Sequence, residues 1–353
     1  MLPILRSAIR RKLVRWYRRN KRDLPWRRSH DPYAIWISET MLQQTQVNTV
    51  IPYYEKFLHR FPTAAALARA PLPEVLRLWS GLGYYRRAAN LRKAARQIVR
   101  SHGGKIPQDF TELRALAGVG DYTAGALLSM AFGKPYPAID GNVRRVLSRL
   151  LRITDERKLR ALAAELVPPE RPGEFNQALM ELGATVCTPK NQRCSQCAVN
   201  SLCASRSSAN AAVLGSRPPV KFKAVVWPMA IVRRSGKILL RRRAANGLLA
   251  SLWELPGQEL TGKQSIAGLF RRELNDVIPT LARPKKLGEI RHAITYRRIR
   301  APIYSFEFIG TSHVKLPASQ WRWVAPAKVQ ERAVSSMTAK AVGLLSAHEK
   351  NFR

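Results

Sequence analysis

Three groups of residues in this chain have the types and spacing for chemistry. In "SETMLQQTQV" (38–47), Glu39, Gln43 and Gln46 lie at i, i+4 and i+7, so a helix there presents one carboxylate and two amides on one face. Asp140 closes the Pro-bounded run "PYPAID" (135–140) and is followed by Gly141 and Asn142. Two carboxylates in unlike surroundings can divide acid and base work between them. Each also has a plainer reading, Glu39 as part of a solvated helix face and Asp140 as an N-cap. All 4 cysteines, Cys187, Cys194, Cys197 and Cys203, fall in one short stretch with the spacing C-x6-C-x2-C-x5-C. A disulfide framework spreads its cysteines through a small secreted domain, whereas four gathered thiolates suit a metal. Zinc and an iron–sulfur cluster both remain open on ligand chemistry, although a zinc ribbon usually pairs two C-x2-C knuckles and only one occurs here.

These residues need elements to hold them. Asp31-Pro32 reads as the start of the helix bearing Glu39, with Asp as N-cap and Pro at the first helical position; Ile35 and Leu42 flank the polar stripe. In "LRALAGVGDYTAGALLSMAF" (113–132) a short apolar helix ends at Gly118-Val119-Gly120 and a second begins at Asp121. Such a hairpin can hold a phosphate on backbone N–H groups and the next helix N-terminus. An ordinary helix–helix turn would look the same. After Asp140, Val143, Val146, Leu147 and Leu150 recur at core spacing. Helical periodicity runs through 1–206, for example at 64–70, 72–79 and 86–100. The small, basic, Pro-bearing stretch that follows has none. Beyond it the pattern is strand, Ser-Gly turn and strand from 224, a helix at 265–274, alternating strands at 290–310, a further strand near 321–326 and a helix at 335–347. The expected domains are a mostly α domain at 1–206, a linker at 207–223 and an α+β domain at 224–353.

Lys+Arg total 61 against Asp+Glu 23, a formal net charge of +38. An excess of that size points to a polyanionic partner. No apolar run approaches the ~20 residues of a spanning helix. The basic amphipathic N-terminus lacks a signal-peptide pattern and reads as packing on the next domain rather than on a membrane. Nucleic acid is the expected partner, with no membrane, a monomeric chain and a cytoplasmic, nucleoid-associated location.

In this order, the hairpin, the Gly/Pro-bounded Asp140 and the cysteine spacing resemble the helix-hairpin-helix DNA glycosylase superfamily, and the cysteines look like the 4Fe–4S loop of its endonuclease III and MutY branches. The endonuclease III branch carries a strand-cutting Lys two residues past the hairpin, where this chain has Tyr122. A phenol forms no Schiff base, which argues against a bifunctional glycosylase/lyase. "SETMLQQTQV", "WSGLGYYRRAANL" (79–91) and "LPWR" (24–27) resemble the MutY family of adenine DNA glycosylases across the whole first domain. The fold this implies is a two-lobed helical helix-hairpin-helix domain with a cluster loop, followed by a Nudix-like α+β domain.

The resemblance implies a monofunctional enzyme that flips out and excises adenine opposite 8-oxoguanine or guanine in double-stranded DNA. Glu39 would protonate the departing adenine, kept protonated by apolar neighbours such as Ile35 and Leu42. Asp140 would stay ionised against the cationic sugar, with Tyr122 and Asn142 positioning it and the substrate. Trp26 and Arg27 would line the base pocket, joined by Gln177. Gln44 and Thr45 would fill the space left by the flipped base, Leu82 and Tyr84 would form a wedge, and Gly118 and Gly120 would sit at the phosphate. The cluster on Cys187, Cys194, Cys197 and Cys203 would be structural. A non-catalytic iron–sulfur DNA-binding protein is the remaining alternative.

"GLLASLWELPGQEL" (247–260) resembles a Nudix fold. In the run matching its Mg²⁺-binding acids, Arg272-Glu273-Leu274-Asn275-Asp276-Val277, one acid is replaced by Val277, so pyrophosphatase activity is not expected. At the family's lesion loop, usually Phe-Ser-His, this chain has Ile294-Thr295-Tyr296. Thr295 keeps a hydroxyl while its neighbours depart from the pattern.

Overall fold

The structure, a computed structural model, describes residues 1–206, 221–274, 278, 283–308 and 316–350, with side chains to 345. The chain forms two compact units, Met1–Ala70 with Asn90–Pro218, and Pro71–Ala89 with Pro219–Arg353. The stretch expected to complete the helical domain at 71–89 thus groups with the C-terminal strands. Most of the expected linker, 207–220, lies outside the described residues.

The first 206 residues carry α1 (Pro3–Asn20), α2 (Pro32–Leu42), α3 (Val47–Arg60), α4 (Ala64–Arg69), α5 (Leu72–Leu78), α6 (Arg86–His102), α7 (Phe110–Ala115), α8 (Asp121–Met130), α9 (Gly141–Leu151), α10 (Glu156–Leu166) and α11 (Pro172–Thr185). Their starts follow local chemistry. The Asp31 carboxylate accepts from the amides of Tyr33 (3.0 Å) and Ala34 (3.3 Å), with Pro32 in the first turn. Asp109 caps α7 and Asp155 caps α10 in the same way. The apolar stripe of α9 packs with Ile9, Leu13, Phe175, Leu179 and Leu182 into one core drawn from α1, α9, α10 and α11. Between α7 and α8, Gly118 has φ +79°, and a Cβ there would come within 2.8 Å of the Asn90 Cβ. Glycine is required at this position on both counts.

In the second unit one mixed sheet gathers β1 (Lys223–Val226), β2 (Met229–Arg234), β3 (Lys237–Arg242), β4 (Trp253–Glu254), β5 (Lys285–Ile294), β6 (Arg297–Glu307) and β7 (Trp321–Val324). The main path runs β1-β6-β2-β3-β4, with β5 on β6 and β7 on β3. Alternation along β2 sends Met229 and Ile231 to one core and Ala230 and Val232 to the other. Helix α13 (Ser336–Lys350) covers the first face through Met337, Ala341, Val342 and Leu345. Helix α12 (Ile266–Leu274) covers the second through Leu269, Phe270 and Leu274.

Candidate active site

Helix α2 is buried from Tyr33 to Met41, and Glu39 is only 5% exposed. The hydroxyls of Ser38 and Thr40 are spent on the carbonyls of Ile35 and Trp36, each at 2.8 Å. An uncompensated carboxylate in such a helix would be costly, so Glu39 requires a polar recess of its own. It has one. A cavity of about 840 Å³ is lined by Glu39, Leu42, Tyr122, Asp140, Asn142 and Glu181, with Trp26, Arg27, Gln44, Thr45, Gly118, Gly120 and Gln177 also on its walls.

The expected helical run through Gln46 is interrupted. Helix α2 stops at Leu42, Gln44 takes φ +60°, and Gln46 precedes the first residue of α3. Gln43 then reaches the Thr123 hydroxyl at 3.3 Å. A non-glycine residue held at positive φ on a cavity wall is local strain of the kind that accompanies binding sites.

The phenol of Tyr122 donates to Glu39 Oε2. Tyr122 therefore serves Glu39, not Asp140 as expected from the resemblance. Asp140 is served by Asn142 Nδ2 (2.9 Å) and by the Val143 amide (2.7 Å), so it is at once the N-cap of α9 and a wall of the cavity. Burial pushes the Glu39 carboxyl up to about 7, the Tyr122 hydrogen bond and Arg27 pulling it back and Asp140 adding to the rise. Burial also raises Asp140, but two backbone amides, Asn142 and Arg145 all favour its charged form. The environments are thus unlike. One acid has a single neutral hydrogen-bond donor, and the other accepts from backbone amides and the Asn142 side chain.

The residues at and behind the cavity that sequence reasoning missed are Arg145, Arg149 and Glu181. Asn142, Arg145 and Arg149 recur at i, i+3 and i+7 of α9, a stripe visible in the sequence that places two arginines on a packed face. Arg145 donates to Asn142 Oδ1 (2.8 Å), the Gly183 carbonyl (2.7 Å) and the Cys187 carbonyl (2.8 Å). Arg149 donates to the Thr188 carbonyl at 2.7 Å. The amide that holds Asp140 is itself held by a side chain tied to the cysteine loop. Glu181, four residues after Gln177 on α11, accepts from Arg22 Nε and Arg27 Nη2, both at 2.7 Å. Burial alone would raise its pKa, but the two guanidiniums win and hold it below the usual range. Arg27 also lies over the Tyr17 ring, whose hydroxyl donates to Gln177 Oε1 at 2.7 Å. Trp26 meets Tyr54 edge-on.

Cys187, Cys194, Cys197 and Cys203 are all unbridged. Among the described residues no three His, Cys, Asp or Glu side chains are gathered into a metal-ligand set. The four sulfurs nevertheless influence one another. Burial pushes the Cys197 thiol up to about 11, and the other three cysteines add to that rise. Four thiols within one loop are donors of the type that a bound cation deprotonates and turns into ligands.

Residues 37–169 match the family described as HhH-GPD superfamily base excision DNA repair protein, and residues 228–343 match the NUDIX domain. The adenine DNA glycosylase of Rattus norvegicus is 35% identical over 98% of this chain and 79% of its own length. That of Homo sapiens is 36% identical over 95% of this chain and 73% of its own. The chain belongs to the adenine DNA glycosylase family. Among solved structures, that of a thermostable thymine-DNA glycosylase is 29% identical, with a TM-score of 0.55 over 58% of this chain and 98% of that one. The fold is thus a helical HhH-GPD domain followed by a Nudix-like α+β domain, and the function is that of an adenine glycosylase of base excision repair.

Residues that the family resemblance places on DNA beyond the cavity lie in the second unit and do not line it. Tyr84 is 42% exposed whereas Leu82 is buried. Thr295 has φ +52° at the β5–β6 turn, and its hydroxyl donates to the Ile294 carbonyl at 2.7 Å. Tyr296 is exposed beneath the guanidinium of Arg297. In this adenine glycosylase the acids near the Nudix-type run are engaged by cations. Glu273 pairs with Arg241, and Glu254 pairs with Arg241 and Arg243. Residues 275–277 of that run lie outside the described residues.

Proposed function

We propose that the cavity receives an adenine extruded from duplex DNA opposite 8-oxoguanine or guanine, and that Glu39 and Asp140 divide the work of its hydrolytic release. The observation that carries this reading is one buried acid pushed to about 7 and a second carboxylate held by amides and a cation, both lining the same 840 Å³ space. Glu39, steadied by Tyr122, gives its proton to a ring nitrogen of the purine. The glycosidic bond then breaks with its electron pair leaving on the base. Asp140 faces the cationic sugar and accepts a proton from the water that adds to it. Trp26, Arg27, Leu42, Gln177 and Glu181 bound the base. Gln44 and Thr45 stand where the extruded base leaves space, and Gly118 and Gly120 meet the phosphate, where no side chain caps the first turn of α8. Thr295 contacts the lesion strand. The chain acts as a monomer on cytoplasmic, nucleoid-associated DNA, with no membrane partner, and its net charge of +38 favours contact with the phosphate backbone.

Single-turnover adenine release from duplexes with A opposite 8-oxoguanine, G, C and T tests the reading. Release should be fastest opposite 8-oxoguanine, slower opposite G and slowest opposite C and T. Equal rates on all four would remove the opposite base from recognition.

Cys187, Cys194, Cys197 and Cys203 would hold a 4Fe–4S cluster. When bound, the cluster supplies four-point attachment of the basic loop and no step of base release. Protein purified anaerobically should be yellow-brown, contain iron and lose thermal stability when the iron is chelated. Stoichiometric zinc without iron would assign the thiolates to a different metal.

A further inference from the structure

The loop joining α5 to α6 is pinned at both ends to one atom of the C-terminal segment. Ser80 Oγ donates to the Val334 carbonyl at 2.5 Å, and Tyr85 Oη donates to the same oxygen at 3.1 Å. The Tyr85 oxygen also accepts from the Gly81 amide at 3.2 Å. Val334 is itself fixed. It bridges to Trp253 of β4, whose amide donates to the Ala333 carbonyl at 2.8 Å, and the next residue, Ser335, accepts from the Thr338 amide at the start of α13. Val334 is buried, so its carbonyl depends on protein donors.

Between the two pins the backbone is forced into left-handed conformations, with φ of +109° at Gly81, +72° at Gly83 and +47° at Tyr84. Trp79 Nε1 donates to the Gly83 carbonyl at 3.1 Å, and Arg87 donates to the carbonyls of Leu82 and Gly83 while lying over the rings of Trp79 and Tyr84. The result is a tight arch whose exposed large side chain is Tyr84. A non-glycine residue at positive φ persists only where its surroundings over-determine it.

We infer that Ser80 and Tyr85 are positioning residues. By closing on the Val334 carbonyl they hold Tyr84 in the posture from which it enters duplex DNA, so the C-terminal segment 333–335 sets the geometry of the intercalating loop. The inference rests on the reading of Tyr84 as a wedge. Its physical content is preorganisation. A loop already arched loses less freedom on inserting a ring between base steps than one that must first order itself.

The test uses the full-length chain and duplexes with A opposite 8-oxoguanine, with 2-aminopurine beside the lesion as a fluorescent reporter of unstacking. Ser80→Ala, Tyr85→Phe and the double variant are compared in the native and Tyr84→Ala backgrounds. In the native background the double variant should lower adenine release at sub-saturating protein roughly tenfold and shrink the fluorescence rise on binding. Tyr85→Phe alone keeps the ring and should show a smaller change of both in the same direction. In the Tyr84→Ala background the same substitutions should change the rate less than about twofold, because coupled residues fail to add. Wild-type rate and fluorescence in the double variant would overturn the inference, as would losses that multiply those of Tyr84→Ala, which mark a merely structural role. If Tyr84→Ala keeps the full fluorescence rise, the wedge reading falls and the clamp with it, while the adenine chemistry of Glu39 and Asp140 stands.

Discussion

Glu39→Gln should bind A:8-oxoguanine duplexes and release no measurable adenine from them. The amide has the same shape, and its oxygen can still accept the Tyr122 hydrogen bond, so the cavity wall is preserved. What disappears is the proton. General acids typically contribute ~10²–10⁴-fold, and the loss here should reach the upper end because a purine anion is a poor leaving group. The same group sets the pH profile. As the proposed acid, Glu39 acts only when protonated, and burial pushes its pKa up to about 7. Single-turnover release by the native chain should therefore hold level just below that pH and fall about tenfold per unit above it. Toward acid, protonation of Asp140 should bring the rate down again. Folding gives a control of opposite sign, since burial disfavours ionised Glu39 and Glu39→Gln should unfold at no lower temperature at pH 8. Near-native turnover by this variant, or a rate still climbing through pH 8.5, would assign the proton to another group.

Asp140→Asn separates two roles that one side chain holds together. Asn is as good an N-cap as Asp, so the bond to the Val143 amide and the start of α9 should survive, while the new amide nitrogen faces Asn142 Nδ2 in place of an accepting oxygen, at a cost of ~1–3 kcal/mol. The negative charge proposed to face the sugar does not survive. Adenine release should drop by ~10²–10⁴-fold, the range expected when a catalytic carboxylate is neutralised. A thermal melt beside a single-turnover assay decides the matter. Lost stability with activity in proportion would reduce Asp140 to a cap.

Much of the helical half could be read from short patterns. Asp31-Pro32 opens α2 as expected, and the Gly118–Gly120 turn joins α7 to α8. Both depend on residues within a turn of each other. Helices α12 and α13 fall within a few residues of their expected ranges for the same reason. The end of α2 was not legible, because "QQT" contains no breaker and Gln44 reaches positive φ beside a cavity that only the folded chain creates. Arg145 and Glu181 stood on visible helical stripes, but their partners come from elements far along the chain. The alliance of 71–89 with the C-terminal strands includes two hydroxyls that meet one carbonyl about 250 residues later, a contact that leaves no periodic trace.

That alliance bears on how the chain is made. It passes between its two compact units after Ala70, Ala89 and Pro218, so the units are interleaved along the sequence and hence in the order of their synthesis. Val334 follows Tyr85 by 249 positions. At a synthesis rate of roughly 5–20 residues per second, Ser80 and Tyr85 emerge from the ribosome some ten to fifty seconds before their acceptor exists. During that interval the residues of α7 to α11 and the cysteine loop are already made, while the arch that carries Tyr84 has nothing to close on. An unfinished chain, or one cut short by a nonsense codon after residue 218, therefore has Glu39 and Asp140, the residues proposed to release the base, and lacks the tether of Tyr84, the proposed wedge.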